Sequence, residues 1–357
     1  MNILQVINKF EVGGAERLLS AFLPIMAKEH NVEVLILQDA ATHFVRILQD
    51  AGITIHCLHL RNQYSPFTIW KVRSFLKQHQ QYDVIHVHLF PSMYWVPLAA
   101  IGLNKKLVWT EHSTMNRRWN MPWLRPIEKR IYSLYNKIIC ISPATLEAIK
   151  GWTESEQNDS RYCVIENGVD TSKFRRVVVE KPYPHCLIQV SRFEEAKDQD
   201  TVIRAMTLLD DDVHVVFVGT GSRLEQCQEL SRSLGIQDRV HFLGVRDDIR
   251  DLLSGADIAV VSSHWEGFGL VAVEAMANGL PVIASDVEGL KQVVEGAGLL
   301  FSVGDEKALA EHVRSLLSNR ELYDELSTKS LERADRYDIS VMCDNYLKVY
   351  QDLVLSK

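Results

Sequence analysis

Short apolar runs alternate with amphipathic stretches along nearly the whole chain. In the first half the apolar runs are NILQVIN (2–8), VEVLIL (32–37), ITIHCL (53–58), DVIHVHL (83–89), KLVWTEH (106–112) and KIICIS (137–142). Each is rich in β-branched residues and reads as a strand buried on both faces. Segments such as AERLLSAFLPIMAKEH (15–30) carry the helical period between them. Strands separated by helices of this length predict a parallel sheet.

The alternation lapses over 167–184, NGVDTSKFRRVVVEKPYP, which is rich in turn formers and charge and carries two prolines. It restarts with CLIQVSR (186–192), VHVVFVG (213–219), VHFLG (240–244), DIAVVSS (257–263), LPVIAS (280–285) and LLFSV (299–303). The tail DISVMCDNYLKVYQDLVLSK has helical period, with Val341, Tyr346, Val349 and Tyr350 among its apolar positions. Single cores rarely grow past about 250–300 residues, so 357 residues predict two domains. The expected division is 1–166, a linker at 167–184, a second domain at 185–338 and a final helix at 339–357. Two doubly wound α/β domains bind ligands at the carboxyl ends of their strands, so a cleft between them is the expected site.

Composition narrows the partners. A net charge of −7 argues against a nucleic-acid protein. The start, MNILQVINKF, reads as a first strand rather than a signal peptide. No apolar run approaches the roughly 20 residues of a membrane span. The six cysteines (57, 140, 163, 186, 227, 343) show no CxxC spacing, which fits free thiols in a reducing cytoplasm.

Candidate chemistry concentrates in HWEGFGLVAVEAMANGLPVIAS (264–285). DIAVVSS is its leading strand, HWEGFG the turn and LVAVEAMAN a helix closed by Gly279. Glu266 then projects from a loop at a strand's carboxyl end. Gly267 and Gly269 permit close backbone approach, and the amides opening the helix can hold phosphate. Glu274 lies in an almost wholly apolar helix, where an unpaired carboxylate is costly. Its two oxygens would suit vicinal hydroxyls such as a ribose presents. A structural glutamate paired with an arginine or a helix end fits the spacing equally.

E-G-F-G-L-x-x-x-E followed by A-M-A-x-G-x-P-V-I-A-S resembles the E-x7-E signature of family-4 retaining glycosyltransferases, which have the GT-B fold. The resemblance runs end to end. It includes GGAERL (13–18), TEHS (110–113), ENGVD (166–170), SRFEEAKD (191–198) and FLGVRDD (242–248). It implies an N-terminal acceptor-binding domain, a C-terminal donor-binding domain and a last helix that crosses back to the first. Glu274 would accept ribose hydroxyls, and Glu266 would bind hydroxyls of the donor sugar. Amides from Gly267 through Phe268 and Gly269 to Leu270 would help hold sugar and phosphate. Arg192 and Lys197 would grip the diphosphate, and Val245 would meet the base. His112 would sit near the reacting carbon, and Gly13 and Gly14 near donor phosphate.

The chemistry agrees with that reading. Breaking a sugar–diphosphate bond sheds negative charge, which Arg192, Lys197 and a helix N-terminus are built to absorb, so neither metal nor cofactor is expected. Asp210-Asp211-Asp212 matches D-x-D but reads as a solvated turn. His86 and His88 form an H-x-H without a nearby third ligand and read as packing or cleft lining. The sequence departs from the family pattern at Glu288-Gly289-Leu290-Lys291-Gln292, at Glu166 and at Gly219-Thr220-Gly221.

Residues 114–137, TMNRRWNMPWLRPIEKRIYSLYNK, hold six Lys or Arg and one Glu. Helix is expected from near Pro126. Arg117, Arg118, Trp119 and Trp123 suit either an anionic membrane surface or the acceptor side of a cleft. The expected partners are a nucleotide-diphosphate sugar, with UDP favoured, and a glycan or lipid-linked acceptor. The expected location is cytoplasmic, peripheral to the inner membrane face. A sugar-nucleotide epimerase and a non-catalytic nucleotide-sugar binder are the alternatives.

Overall fold

The computed structural model describes residues 1–11, 13–113 and 116–355, with Arg117 described by its backbone alone. The chain divides into two units. The first comprises Met1–Gly168 with Ile339–Lys357, and the second Val169–Asp338.

The first unit holds seven strands: β1 (Asn2–Ile7), β2 (Asn31–Ile36), β3 (Thr54–Cys57), β4 (Val84–His88), β5 (Lys106–Glu111), β6 (Lys137–Cys140) and β7 (Tyr162–Val164). They form one parallel sheet in the order β3-β2-β1-β4-β5-β6-β7. β7 was not anticipated; it is three residues long and runs straight into the turn-forming N-G-V-D. Alternation along each strand feeds two apolar layers. Ile3 and Ile7 face one, and Leu4 and Val6 the other. Gln5 shares the side of Ile3 and Ile7, as His86 and His88 share that of Val84. The helix Ile339–Leu355 covers this side, stacking Tyr346 on Phe22 at 5.5 Å.

The second unit holds β8 (His185–Val190), β9 (Val213–Val218), β10 (Val240–Phe242), β11 (Ile258–Val261), β12 (Val282–Ser285) and β13 (Leu299–Phe301). Their parallel order is β10-β9-β8-β11-β12-β13. All six expected strands are present. The order reverses between β8 and β11, so the loops leaving these neighbours diverge to opposite faces and open a crevice.

The expected linker differs in substance. Residues 169–184 lie against the second unit. Val177 N–H donates to Ser254 Oγ at 3.1 Å, Asn278 Nδ2 to Phe174 O at 2.9 Å, and Lys181 pairs with Asp257 at 2.5 Å. Charge and turn formers here serve to strap the chain to a surface. Among the described residues no helix is long and apolar enough to cross a membrane.

Candidate functional site

The crevice at the β8/β11 switch point is lined by Arg192, Glu194, Glu195, Ala196, Lys197, Trp265, Glu266 and Gly267. β8 delivers the first five and β11 the last three. Lys197 Nζ forms an ion pair with Glu266 Oε2, while the Gly267 N–H donates to Glu266 Oε1 at 3.1 Å. Both charged side chains are about one-fifth exposed (21% and 19%), so the pair is partly desolvated yet reachable. Arg192 is 74% exposed and meets Glu194 at 2.9 Å. Such an exposed pair exchanges readily for an anionic ligand.

Buried polar groups hold the two loops in register. Ser262 Oγ donates to Lys197 O (3.0 Å) and Asp198 O (2.9 Å), and Gln189 Nε2 donates to Lys197 O at 3.0 Å. The His264 N–H donates to Ala196 O at 2.9 Å. These bonds tie the backbone under Lys197 to the strand that leads to Glu266.

The helix Leu270–Ala277 starts immediately after Gly269, whose φ of +82° glycine tolerates. Its first amides face the loop as unsatisfied donors do at any helix start. Gly289, at φ +89°, lies against the Glu266 carbonyl, which any Cβ there would overlap. The apparent departure from the family pattern at 288–292 therefore supplies a support for the Glu266 turn. Leu290, fully buried, packs beneath Gly269.

Other expected residues fall elsewhere. The Phe268 side chain is a core residue, 2% exposed and edge-on to Tyr337 at 5.3 Å. Glu274 is 2% exposed within apolar neighbours and is not left without an interaction partner. Val245 is 73% exposed on the loop after β10. Asp210, Asp211 and Asp212 are exposed before β9, at the opposite end of the strands from the crevice. Trp265 was missed. It is 49% exposed in the crevice, and its signal was an aromatic residue beside the loop glutamate.

In the first unit, Gly13 caps the helix Gly14–Met26. A Cβ on Gly14 would meet nothing described within 4 Å, while one on Gly13 would overlap the carboxylate of the buried Glu16. Packing thus favours glycine at Gly13 but does not demand it at Gly14. Burial raises the pKa of Glu16.

His112 follows β5, half-buried. Its Nε2 lies 3.2 Å from His88 Nδ1, and His88 Nε2 lies 2.8 Å from Gln5 Oε1. Gln5 Nε2 donates to Tyr350 Oη at 3.3 Å, which contacts His86 Nδ1 at 2.5 Å; His86 Nε2 reaches Thr110 Oγ1 at 2.7 Å. The amide orientation of Gln5 sets the polarity. Its Oε1 only accepts, so His88 donates from Nε2 and carries a lone pair on Nδ1. His112 must then donate from Nε2 and keep its own lone pair on Nδ1. Burial pushes His112 down to about 4 and both other histidines well below their ordinary value. The H-x-H is thus a neutral, fully buried relay that orients His112.

The basic-aromatic segment turns partly inward. The side chain of Arg117 lies outside the described residues. Arg118 Nε donates to Glu128 Oε1 at 2.6 Å, and Glu128 also accepts from Tyr94 Oη and Trp152 Nε1, both at 2.5 Å. Glu128 is fully buried and the Arg118 side chain only 12% exposed. Trp119 stacks on Trp152 at 6.0 Å. Arg118 and Trp119 therefore anchor the segment and do not present an open surface to a membrane or an acceptor. Trp123 (67%), Ile127 (49%) and Met121 (44%) remain exposed. Nearby, burial raises Glu111 to about 6.

Residues 170–333 match the family described as Glycosyl transferases group 1, and residues 12–173 match Glycosyltransferase Family 4. The chain is 26% identical over 308 residues to an N-acetyl-alpha-D-glucosaminyl L-malate synthase of Bacillus anthracis, covering 82% of this chain and 81% of that protein. It is 28% identical to a phosphatidyl-myo-inositol mannosyltransferase of Mycobacterium leprae, covering 83% and 80%. The crystal structure of Anabaena HepE in complex with UDP has the same fold, with a TM-score of 0.85 at 21% identity over 99% and 100% of the two chains.

Proposed function

Since this chain belongs to the family-4 glycosyltransferases of GT-B fold, we propose that it moves a sugar from a nucleotide diphosphate, with UDP favoured, to a glycan or lipid-linked acceptor, with retention of anomeric configuration. The observation that carries this reading is the meeting of Arg192, Lys197 and Glu266 at the switch point of the second sheet. Two cations there can take the charge that grows on a departing diphosphate, and the amides opening the helix Leu270–Ala277 add a fixed dipole. The step then needs no resident metal ion. Glu266 is held by Lys197 and the Gly267 amide, which suits a hydroxyl acceptor more than an attacking nucleophile. In this reading the leaving diphosphate itself helps to deprotonate the acceptor on the same face. Glu274 holds the ribose and Val245 meets the base.

UDP, the nucleotide held by HepE, and a lipid-borne acceptor, as in the mannosyltransferase's name, support the choice of substrates. The exposed Met121, Trp123 and Ile127, with exposed Arg130, would seat the first unit on anionic lipid. Equal pelleting with anionic vesicles of wild type and a Met121/Trp123/Ile127 triple serine variant would sink that docking face.

The decisive experiment follows slow hydrolysis of UDP-sugars by NMR in the absence of acceptor. The expected product is the free sugar in the donor's anomeric configuration, in the presence of chelator. Inverted sugar, a rearranged sugar, a trapped glycosyl–protein adduct or no turnover with any nucleotide sugar would overturn the proposal.

A further inference from the structure

Outside the residues assigned to transfer, one trio of ligand-type side chains converges among the described residues. The ligand atoms of Asp39, Cys57 and His59 all lie within 4.8 Å of one another. The backbone produces the convergence. β2 and β3 pair up to Ile36 and Cys57, and the ladder continues beyond both strands. Leu58 N–H donates to Ile36 O and Leu60 N–H to Leu37 O, both at 3.0 Å. Gln38 Nε2 closes the same loop through Leu60 O at 3.1 Å. Cys57 ends β3, His59 follows two positions on with a left-handed φ of +49°, and Asp39 reaches across from the neighbouring strand's exit. His59 Nδ1 and Cys57 Sγ lie 2.6 Å and 3.5 Å from the same oxygen, Asp39 Oδ1. The His59 amide donates to Cys57 Sγ at 3.3 Å.

We propose that Asp39, Cys57 and His59 bind a divalent transition-metal ion of borderline softness, of the zinc type. Thiolate, imidazole and carboxylate together make a zinc-type donor set, with water in the fourth position. Zinc–ligand bonds of about 2.0–2.3 Å in a tetrahedron place ligand atoms roughly 3.3–3.8 Å apart. The Asp39 and His59 side chains are each 71% exposed and can open their 2.6 Å contact to admit the ion. The amide–sulfur bond supports the thiolate from outside the coordination sphere. Binding displaces the Cys57 thiol proton to solvent, so affinity rises with pH. The ion would clamp β3, the edge strand of the seven-stranded sheet, to β2. Neither strand carries a residue assigned to transfer.

Cobalt(II) is the probe. Full-length protein is stripped with chelator, desalted and titrated with Co(II), then with Zn(II). The expected result is one equivalent of cobalt, with a near-ultraviolet thiolate charge-transfer band and visible bands of four-coordinate cobalt, both bleached by zinc. Cys57→Ser should lose the charge-transfer band. Asp39→Ala and His59→Ala should weaken binding at least about tenfold, since even outer-shell losses cost 10–100-fold. No band in wild type, or a band that persists in Cys57→Ser, overturns the proposal. Melting of each metal-free variant at the wild-type temperature shows that it is folded; Asp39→Asn replaces any variant that is not. The thermal shift induced by UDP should be the same with and without metal, which separates this test from the proposed transferase function.

Discussion

The histidine relay of the first unit and the crevice of the second handle polarity in opposite ways. In the first, Gln5, His86, His88 and Thr110 line one side of the sheet and are completed by Tyr346 and Tyr350 of the last helix. All of them are neutral and almost fully buried. In the second, the crevice is built from charges, Lys197 with Glu266 and Arg192 with Glu194, that stay in reach of solvent. A neutral network can be closed off because its members satisfy one another, while closing off a charge costs several kcal/mol. The relay therefore orients a single histidine, and the crevice keeps its cations within reach of solvent.

The sharpest break in this contrast is His88→Leu. It leaves Gln5 Oε1 and the His112 Nε2–H without their partners. Each orphaned buried group costs about 1–3 kcal/mol, so urea unfolding should show a loss of about 2–6 kcal/mol. A loss below about 1 kcal/mol would mean that the relay is not closed. Lys197→Ala should act through chemistry instead. It removes one donor aimed at the departing charge and should lower turnover about 10²–10³-fold, or about 2.7–4 kcal/mol, with a much smaller change in stability. Turnover within threefold of wild type would remove Lys197 from the mechanism.

The relay and the crevice were unequally legible in the sequence. Glu266 could be placed because a parallel sheet puts every strand's carboxyl end on one edge, whereas Arg192 and Lys197 stood out only through the resemblance of SRFEEAKD to the family pattern. His86 and His88 could be assigned to one strand face, but their partner Tyr350 lies 264 residues from His86, and no local period encodes that pairing. Arg118 read as surface charge for a related reason. Its partner Glu128 belongs to the segment's own helix, and nothing in the spacing of the two shows that the helix buries it. Gly289 looked like a loss from the family pattern, yet its role is steric and appears only when the Glu266 carbonyl is seen against it. Trp265 stood beside Glu266 without a pattern of its own.

Acid should also separate the units. His86, His88 and His112 have folded pKa values below the unfolded one, so below about pH 6.5 the unfolded chain binds more protons than the native one. Each then lowers stability as pH falls, by up to about 1.4 kcal/mol per pH unit, and for His112 until about pH 4. Glu111 and Glu16, both raised by burial, oppose them. Glu111, raised to about 6, stabilises below its unfolded value near 4.5, and that contribution is lost as pH rises through 6. Three histidines outweigh two carboxyls, so the first unit should weaken between pH 6.5 and 4.5. Hydrogen exchange resolved by segment measures this. Equal acid weakening of β4 and β11 would refute the assignment.

The smallest effect lies at the exposed end of the crevice. The Arg192–Glu194 pair is held at 2.9 Å with Arg192 74% and Glu194 41% exposed, so solvent screens it. Glu194→Gln should change unfolding stability by less than about 1 kcal/mol. It should still matter to the donor, because Arg192 no longer has to leave a carboxylate to meet a diphosphate. UDP affinity should rise by no more than about tenfold, the factor that 1.4 kcal/mol commands. The gain should shrink as salt is raised, since added ions screen an exposed charge. Calorimetry at low and high ionic strength reads both quantities. A salt-independent gain, or weaker UDP binding by Glu194→Gln, would show that Glu194 positions Arg192 and does not merely occupy it.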